Sequence, residues 1–406
     1  MEVKQIYQLV NDATAETLGT SDMLQEDLSN LVDVGTQIFN ANSLDKYVRS
    51  LVDHIGKVIF VNRTYTGVAP SVLRDGWEYG AVLEKITAQL PQATENESWE
   101  LQDGTSYDPN IFYKPNVSAK FFNKRTTWEI PLSFTEMQAK GSFSSASQMN
   151  GFVSMLHTAV ANAKTIKTSD LIMRTINNMT AETLYPYYVS NSNSFVGVGT
   201  PRAVNLLYMF NVKFKTAATR LTAEQAVTDA DFIRFAGYIM SLYQDRLKKM
   251  STLFNLGGQP RFTSGDRLHI ILLSEFAKAA GVYLQSDTFH DTLVKLPEAE
   301  TVPYWQAVQG TKVSDVALPP YNFTDISRID VDLATDSSHR VQSPAILGVM
   351  FDRDALGVCN ENQRVTTNYN PKAEFYTNWY KVDTGYFNDL NENFVVFYAA
   401  DAAPTS

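Results

Sequence analysis

Trp77-Glu78-Tyr79-Gly80-Ala81-Val82-Leu83-Glu84-Lys85-Ile86-Thr87-Ala88-Gln89-Leu90 decides the fold. Along it Val82, Glu84, Ile86, Ala88 and Leu90 fall on one face, and Leu83, Lys85, Thr87 and Gln89 on the other, the period of two that marks a strand. A second alternating run spans Val117 to Ile130. Between them Pro91, Asn96, Asp103-Gly104, Asp108-Pro109 and Pro115 make a polar connection rich in turn formers. The two runs therefore predict a long two-stranded ribbon with an extended tip. Such a ribbon is marginal in water unless something covers it, and connections of this length usually serve a function. Trp99, Phe112 and Tyr113 near the tip would stand exposed on a lone subunit. Either the ribbon lies on another copy of the chain or it is an insertion that the chain itself covers.

Working outward, Met149, Phe152, Val153, Leu156, Val160, Ala163 and Ile166 recur at three and four, with Leu171, Ile172 and Ile176 continuing the stripe. The spacing predicts one long helix over 146–178, about 50 Å if continuous, with Thr168-Ser169-Asp170 as a point of bending. Before the ribbon, Ile6 to Leu18 and Leu24 to Phe39 are amphipathic. Leu44, Tyr47, Val48, Leu51, Val52 and Ile55 follow Ser43 as an N-cap. Residues 1–58 read as a helical arm, packed on neighbours or forming an ordinary helical subdomain, and Val58–Val61 as a strand. Downstream, helix is expected over Ala223–Leu253 and Glu275–Ala280. Buried strands are expected at Leu268–Leu273 and Ala345–Phe351, and aromatic strands at Phe375–Val382 and Phe394–Tyr398 joined by an Asn/Asp/Gly-rich turn. The fold class is α+β.

The whole chain of 406 residues is large enough for two to three compact regions, and 44% hydrophobic with 19% charged residues is the balance of a folded protein. Its formal net charge of −10 argues against a broad nucleic-acid grip. Cys359 stands alone, which excludes an intrachain disulfide and a cysteine-based metal knuckle. The opening Met1-Glu2-Val3-Lys4-Gln5-Ile6-Tyr7 lacks the basic start and apolar run of a signal peptide. The longest apolar runs, such as Ala345–Phe351, fall far short of the ~20 residues of a membrane helix. A soluble protein made in the cytoplasm, with no membrane partner, is expected.

Catalytic signatures are missing. His54, His157, His269, His290 and His339 lie in no HExxH pattern. No G-x-S-x-G elbow occurs, and the turns at Gly257-Gly258 and Ser264-Gly265-Asp266 lack the Lys-Ser/Thr of a phosphate loop. Carboxylates are plentiful, but nothing singles out a catalytic pair. Trp379, Tyr380, Tyr386, Phe387, Phe394, Phe397 and Tyr398 could stack on sugars or bases and read more naturally as sheet core. No catalytic, cofactor-binding or metal-binding residue is assigned, and no enzyme activity or cofactor is expected.

Helical arm, extended loop, long helix, mixed α/β region and return strand, in that order, resemble the tailed-phage major capsid proteins of the Hong Kong 97-like fold. Trp77 through Lys85 looks like the start of that family's extended loop, and Phe121-Phe122-Asn123-Lys124-Arg125-Thr126-Thr127 like its return strand. Gln138 to Met155 resembles the run into the spine helix. Ile346-Leu347-Gly348-Val349-Met350-Phe351-Asp352-Arg353-Asp354-Ala355-Leu356 is similar to the exit from the axial domain. The resemblance implies an arm at 1–58 and an extended loop at 76–134. It also implies a peripheral domain with the spine helix at 59–75, 135–184 and 354–403, and an axial domain at 185–353. It implies self-assembly into pentamers and hexamers forming an icosahedral head around double-stranded DNA, held without sequence-specific binding. A scaffolding protein, a portal and head decoration proteins are the further partners, and the virion, assembled in the host cytoplasm, is the location. Trp99, Phe112, Tyr113, Lys120, Lys124 and Arg125 are the expected intersubunit contacts. No cross-link site carries over. A nanocompartment shell of the same fold, a tail protein and an enzyme with unrecognised carboxylates remain the rival readings.

Overall fold

The computed structural model describes chiefly residues 3–19, 69–74, 83–88, 95–110, 117–122, 124–135, 146–285, 298–306, 322–333 and 339–402, with isolated residues between them. The expected strand at Val58–Val61, most of the arm after residue 19, and Tyr113 lie outside the described residues.

The described helices are α1 (Val3–Leu18), α2 (Ala146–Ser190), α3 (Leu206–Phe214), α4 (Ala223–Ala226), α5 (Ala230–Lys248), α6 (Ser274–Gln285) and α7 (Phe323–Ile326). The strands are β1 (Leu73–Arg74), β2 (Leu83–Ala88), β3 (Val117–Phe122), β4 (Arg125–Thr135), β5 (Ala203–Asn205), β6 (Leu268–Leu273), β7 (Glu300–Val302), β8 (Val308–Gln309) and β9 (Ala317–Leu318). After them come β10 (Asp330–Asp332), β11 (Arg340–Gln342), β12 (Ala345–Asp352), β13 (Leu356–Asn370), β14 (Phe375–Asn388) and β15 (Phe394–Ala399). The α+β class expected from the sequence is the class observed.

A five-stranded sheet, in the order β5-β15-β12-β6-β7, forms the inner core. Every residue of β12 and of β15 is buried, because both faces of the sheet are covered, and such strands read as unbroken apolar runs. Gly348 of β12 pairs with Leu272 of the antiparallel neighbour β6, and a Cβ there would collide with the Leu272 side chain. The Trp305 indole closes the layer by donating to the Ile346 carbonyl at 2.9 Å.

The second sheet, β1-β13-β14-β4, is different in kind. Buried and half-exposed residues alternate along β14, with Tyr376, Tyr380, Val382 and Thr384 inward. Helix α2 covers that inner face, where the Phe134 ring meets Phe152 edge-on at 5.4 Å and stacks on Tyr376 at 5.6 Å. The opposite face is polar, with Arg364 and Thr127 on Asp383 and Ser133 on Thr377. One solvated face is usual in antiparallel sheets.

Helix α2 runs unbroken for 45 residues, about 67 Å at 1.5 Å per residue, longer than the sequence suggests. The helix passes through Thr168-Ser169-Asp170 without a break. Nearby Thr165 and Thr175 turn their hydroxyls back to the carbonyls of Ala161 and Leu171, and Thr168 is buried, so polar side chains are satisfied within the helix. From Ile172 to Leu184 the helix is enclosed on most sides. Asn177 donates to the Trp305 carbonyl at 2.7 Å and Asn388 donates to that of Thr175 at 3.2 Å.

Four further boundaries differ from the sequence reading. The run Val117–Ile130 divides at 123–124: β3 stays in the ribbon, and β4 joins β14 from the Arg125–Gly385 pair onward. The helix expected over Ala223–Leu253 is broken before Ala230, where Asp229 caps a new helix by accepting from the Phe232 amide at 2.8 Å. Strand β14 continues through Asp383-Thr384-Gly385 because β4 and β13 both pair with it there, so the turn comes at 389–393. Phe394–Ala399, grouped with the peripheral region on sequence, pairs between β5 and β12 in the five-stranded sheet. Helix α1 packs on α2, with Val10 and Ala13 fully buried and Glu16 accepting a hydrogen bond from Ser50.

Candidate functional site

Strands β2 and β3 form a two-stranded sheet of their own, paired antiparallel with Leu83 opposite Phe122, Lys85 opposite Lys120 and Ile86 opposite Ala119. The alternation read from the sequence fixes what each face does. On the inward face Phe122 is buried and its ring meets Phe387 at 5.3 Å. On the outward face Ile86, Val117, Ala119 and Phe121 are all exposed, Ile86 to 65% and Phe121 to 61%. A largely apolar ribbon face of this kind, with Glu84 the one charged position in the register, opposite Phe121, is unusual for a monomer surface.

Two lysines placed directly opposite each other on one face of a ribbon repel. Here a single carboxylate bridges them. Asp389 accepts from Lys85 through Oδ2 and from Lys120 through Oδ1, both at 2.8 Å. Lys85 also reaches Glu392 at 2.7 Å, and the Arg261 guanidinium meets the same Glu392 oxygen at 3.1 Å. Asp389 and Glu392 sit in the 389–393 turn and are nearly buried, while the lysines keep part of their surface in water. The turn is held in place by the Asp389 amide donating to the Ala355 carbonyl at 2.7 Å and by the Gly257 amide donating to that of Leu390 at 2.9 Å. A Cβ at Gly257 would strike the Asn391 side chain, which would have to move. Burial raises the Asp389 carboxyl, but the hydrogen bonds from Lys120 and Lys85, with the Lys85 charge, outweigh it and hold it below its ordinary value.

Beyond the strands the tip is shaped by short-range bonds. Asn96 and Asp108 accept from amides two residues on, and the Tyr107 hydroxyl accepts from the Gln102 amide at 3.0 Å. These bonds hold the backbone and leave the rings outside: Trp99 is 94% exposed and Phe112 83%. The tip is also acidic, carrying Glu95, Glu97, Glu100, Asp103 and Asp108.

A second exposed surface lies on the first half of α2. Gly151, Met155, Thr158, Ala159, Asn162 and Ile166 are exposed along one side, at spacings of three and four. They carry no charge, and exposed charged positions follow at Lys167, Asp170 and Arg174. Exposed helix faces are normally polar.

Of the residues singled out on sequence, Trp99 and Phe112 stand out at the tip, and Lys124 and Arg125 are exposed at the ribbon's root. Lys120 differs: its ammonium is engaged by Asp389 of its own chain. The anchoring residues Lys85, Arg261, Asp389 and Glu392 were not read from the sequence. Their only signal was a lysine on the inward face of each strand, without a register to pair them. Among the described residues no group of three His, Cys, Asp or Glu side chains could hold a metal ion.

Three solved phage structures illustrate what the chain is similar to. The capsid of Staphylococcus phage Andhra matches at 9% identity and a TM-score of 0.46, over 83% of this chain and 86% of that chain. The capsid of Cyanophage P-SCSP1u matches at 10% and 0.42, over 84% and 88%. The mature capsid of bacteriophage PhiM1 matches at 7% and 0.41, over 84% and 90%. No curated protein matches the sequence. The assignment rests instead on a family profile, the Phi29-like phage major capsid protein, which matches residues 8–398. That match favours a phage capsid over the tail-protein, nanocompartment and enzyme readings. Spanning nearly all of the sequence, it establishes that the chain belongs to the Phi29-like phage major capsid proteins, structural proteins of the virion.

Proposed function

We propose that copies of this chain assemble into pentamers and hexamers that tile an icosahedral head around double-stranded DNA, with the Hong Kong 97-like arrangement of arm (1–58), extended loop (76–134), peripheral domain and axial domain. The observation that carries this reading is the two-faced ribbon. Its lysine face is anchored to its own chain through Asp389, and Ile86, Val117, Ala119 and Phe121 on its other face stand exposed, uncovered by the described residues. The uncharged side of α2, from Gly151 to Ile166 on a neighbouring copy, offers a matching surface. Trp99, Phe112, Tyr113, Lys124 and Arg125 extend the contact beyond the strands, and Lys120 serves as an anchor within its own chain. Interfaces that are permanent in this way bury on the order of 2,000–5,000 Å².

A net charge of −10 suits a shell that contains DNA without gripping it. Assembly takes place in the host cytoplasm with a scaffolding protein, a portal and head decoration proteins as partners. Deleting residues 92–116 tests the reading. The variant is expected to remain a soluble, folded subunit that forms no shells by electron microscopy. Shells of normal size from that variant would sink the proposal.

A further inference from the structure

An aromatic groove between α3 and α5 has no role in the contacts described so far. It encloses about 690 Å³ and is lined by Phe210, Lys213, Phe214, Lys215, Arg234 and Tyr238, with Phe235 and Asp231. The rings form one cluster: Phe214 meets Phe210 at 5.2 Å and Phe235 at 5.8 Å. Two ammonium groups lie over these rings, Lys213 at 5.1 Å from the Phe214 centre and Lys215 at 5.5 Å from that of Phe210. Phe214 and Tyr238 are each more than half exposed. Three cations line it; Arg234 pairs with Asp231 at 3.4 Å and Lys215 with Asp229 at 3.8 Å, and the balance of these five groups is still positive, on a chain whose overall balance is strongly negative.

The ribbon tip has the opposite character. Residues 95–110 contain five carboxylates and no lysine or arginine, together with the exposed Trp99 and Leu101. Carboxylates meeting ammonium groups, and an indole entering a cluster of rings already capped by cations, are the pairings that steer and then hold such a contact. Tip and groove are both exposed on the same chain, so one copy does not satisfy itself. Folded back on itself, the connection from 89 to 116 can extend up to about 45 Å beyond the strands at ~3.3 Å per residue. That reach lets a ribbon seated on the first half of a neighbour's α2 carry its tip well past the helix.

We propose that the groove of Phe210, Lys213, Phe214, Lys215, Arg234 and Tyr238 receives the acidic, Trp99-bearing ribbon tip of a second copy of this chain. This rests on the reading that the ribbon spans two copies, and adds where its tip ends. The pairing is heterologous, each copy giving a tip and receiving one, so it can close into a ring or continue across a shell.

Carbodiimide coupling tests the proposal on the native protein. Particles reassembled from 15N-labelled and unlabelled subunits are treated with the reagent, and the cross-linked peptides are identified by mass spectrometry. The expected result is an amide between Glu97 or Glu100 and Lys213 or Lys215, with one peptide labelled and the other not. Particles that form without this link, or that show only links within one copy, overturn the tip assignment and leave the two-copy ribbon standing; no particles at all would overturn both. Charge reversal gives an independent reading. Lys213→Glu with Arg234→Glu should lower particle yield about tenfold, and adding Glu97→Lys with Glu100→Lys should restore it to within about twofold. An unchanged yield overturns the proposal. So does a loss that tip reversal does not repair, which would point instead to the acidic stretch 21–33 or to DNA as the occupant.

Discussion

Replacing Asp389 by Asn isolates the anchor of the ribbon while changing almost no volume. The carboxylate accepts from two ammonium groups that face each other across β2 and β3, each at 2.8 Å. In the variant Lys85 keeps Glu392 at 2.7 Å, whereas Lys120 loses the one acidic partner described for it. Hydrogen bonds to charged groups contribute about 1.5–3 kcal/mol each. Lys120 is 41% exposed, so water screens much of its share. A loss of about 2 kcal/mol in the ribbon's seated position follows, or roughly 30-fold in the equilibrium between seated and released ribbon. Hydrogen–deuterium exchange reads this directly: amides of β2 and β3 should exchange about 30-fold faster, while those of the buried half of α2 stay unchanged. Equal exchange in the ribbon of variant and parent would refute the anchor. Acid should act on the parent in the same direction. The folded Asp389 carboxyl titrates below its ordinary value of 3.8, so its contribution is fully present above 3.8 and is lost as pH falls through the lower folded value. The ribbon is therefore expected to stay seated through the mildly acidic range and to release only below it.

Other residues give sharper tests of the fold and of the surfaces. Phe121→Asp and Ile86→Asp change exposed side chains, so thermal unfolding should shift by no more than about 0.5 kcal/mol, while shell formation seen by electron microscopy is lost. Gly348→Ala drives a methyl into Leu272, its partner on β6, and should cost about 1–3 kcal/mol in chemical denaturation. Asn211 is fully buried, donates to the Leu221 carbonyl and to Asp401, and accepts from the Leu221 amide. Asn211→Ala leaves the Leu221 amide and carbonyl without this partner, while Asp401 keeps Arg220, and should lower stability by about 2–3 kcal/mol, measured by urea unfolding. Phe134→Ala opens a cavity between the second sheet and α2, with a loss of about 3–5 kcal/mol by the same measurement.

Local periodicity carried much of the architecture. The alternation around Ile86 and the three-four spacing from Met149 to Ile176 each reflect a face that meets a different environment, and each led to the right element. Boundaries failed where a neighbouring strand decides them. Asp383-Thr384-Gly385 has the composition of a turn, yet strands on both sides hold it extended. One helix ends at Ala226 and Asp229 begins another through a single capping bond, a break that a longer apolar stripe concealed. The strand β13, paired along β14 for most of its length, was not read because Glu361 to Asn370 is almost wholly polar, as suits an antiparallel pair with a solvated face. The anchor was least legible of all. Lys85 and Asp389 are 304 positions apart, and only the register of β2 on β3 places Lys120 beside them.

The most direct measurement is an electron cryomicroscopy map of assembled particles. It should show closed icosahedral shells in which the Ile86–Phe121 face of each ribbon rests on an adjacent copy's α2 between Met155 and Ile166, with Lys85 and Lys120 still on Asp389 of their own chain. Shells whose ribbons lie on their own subunit, or particles that are open tubes or small oligomers, would contradict it.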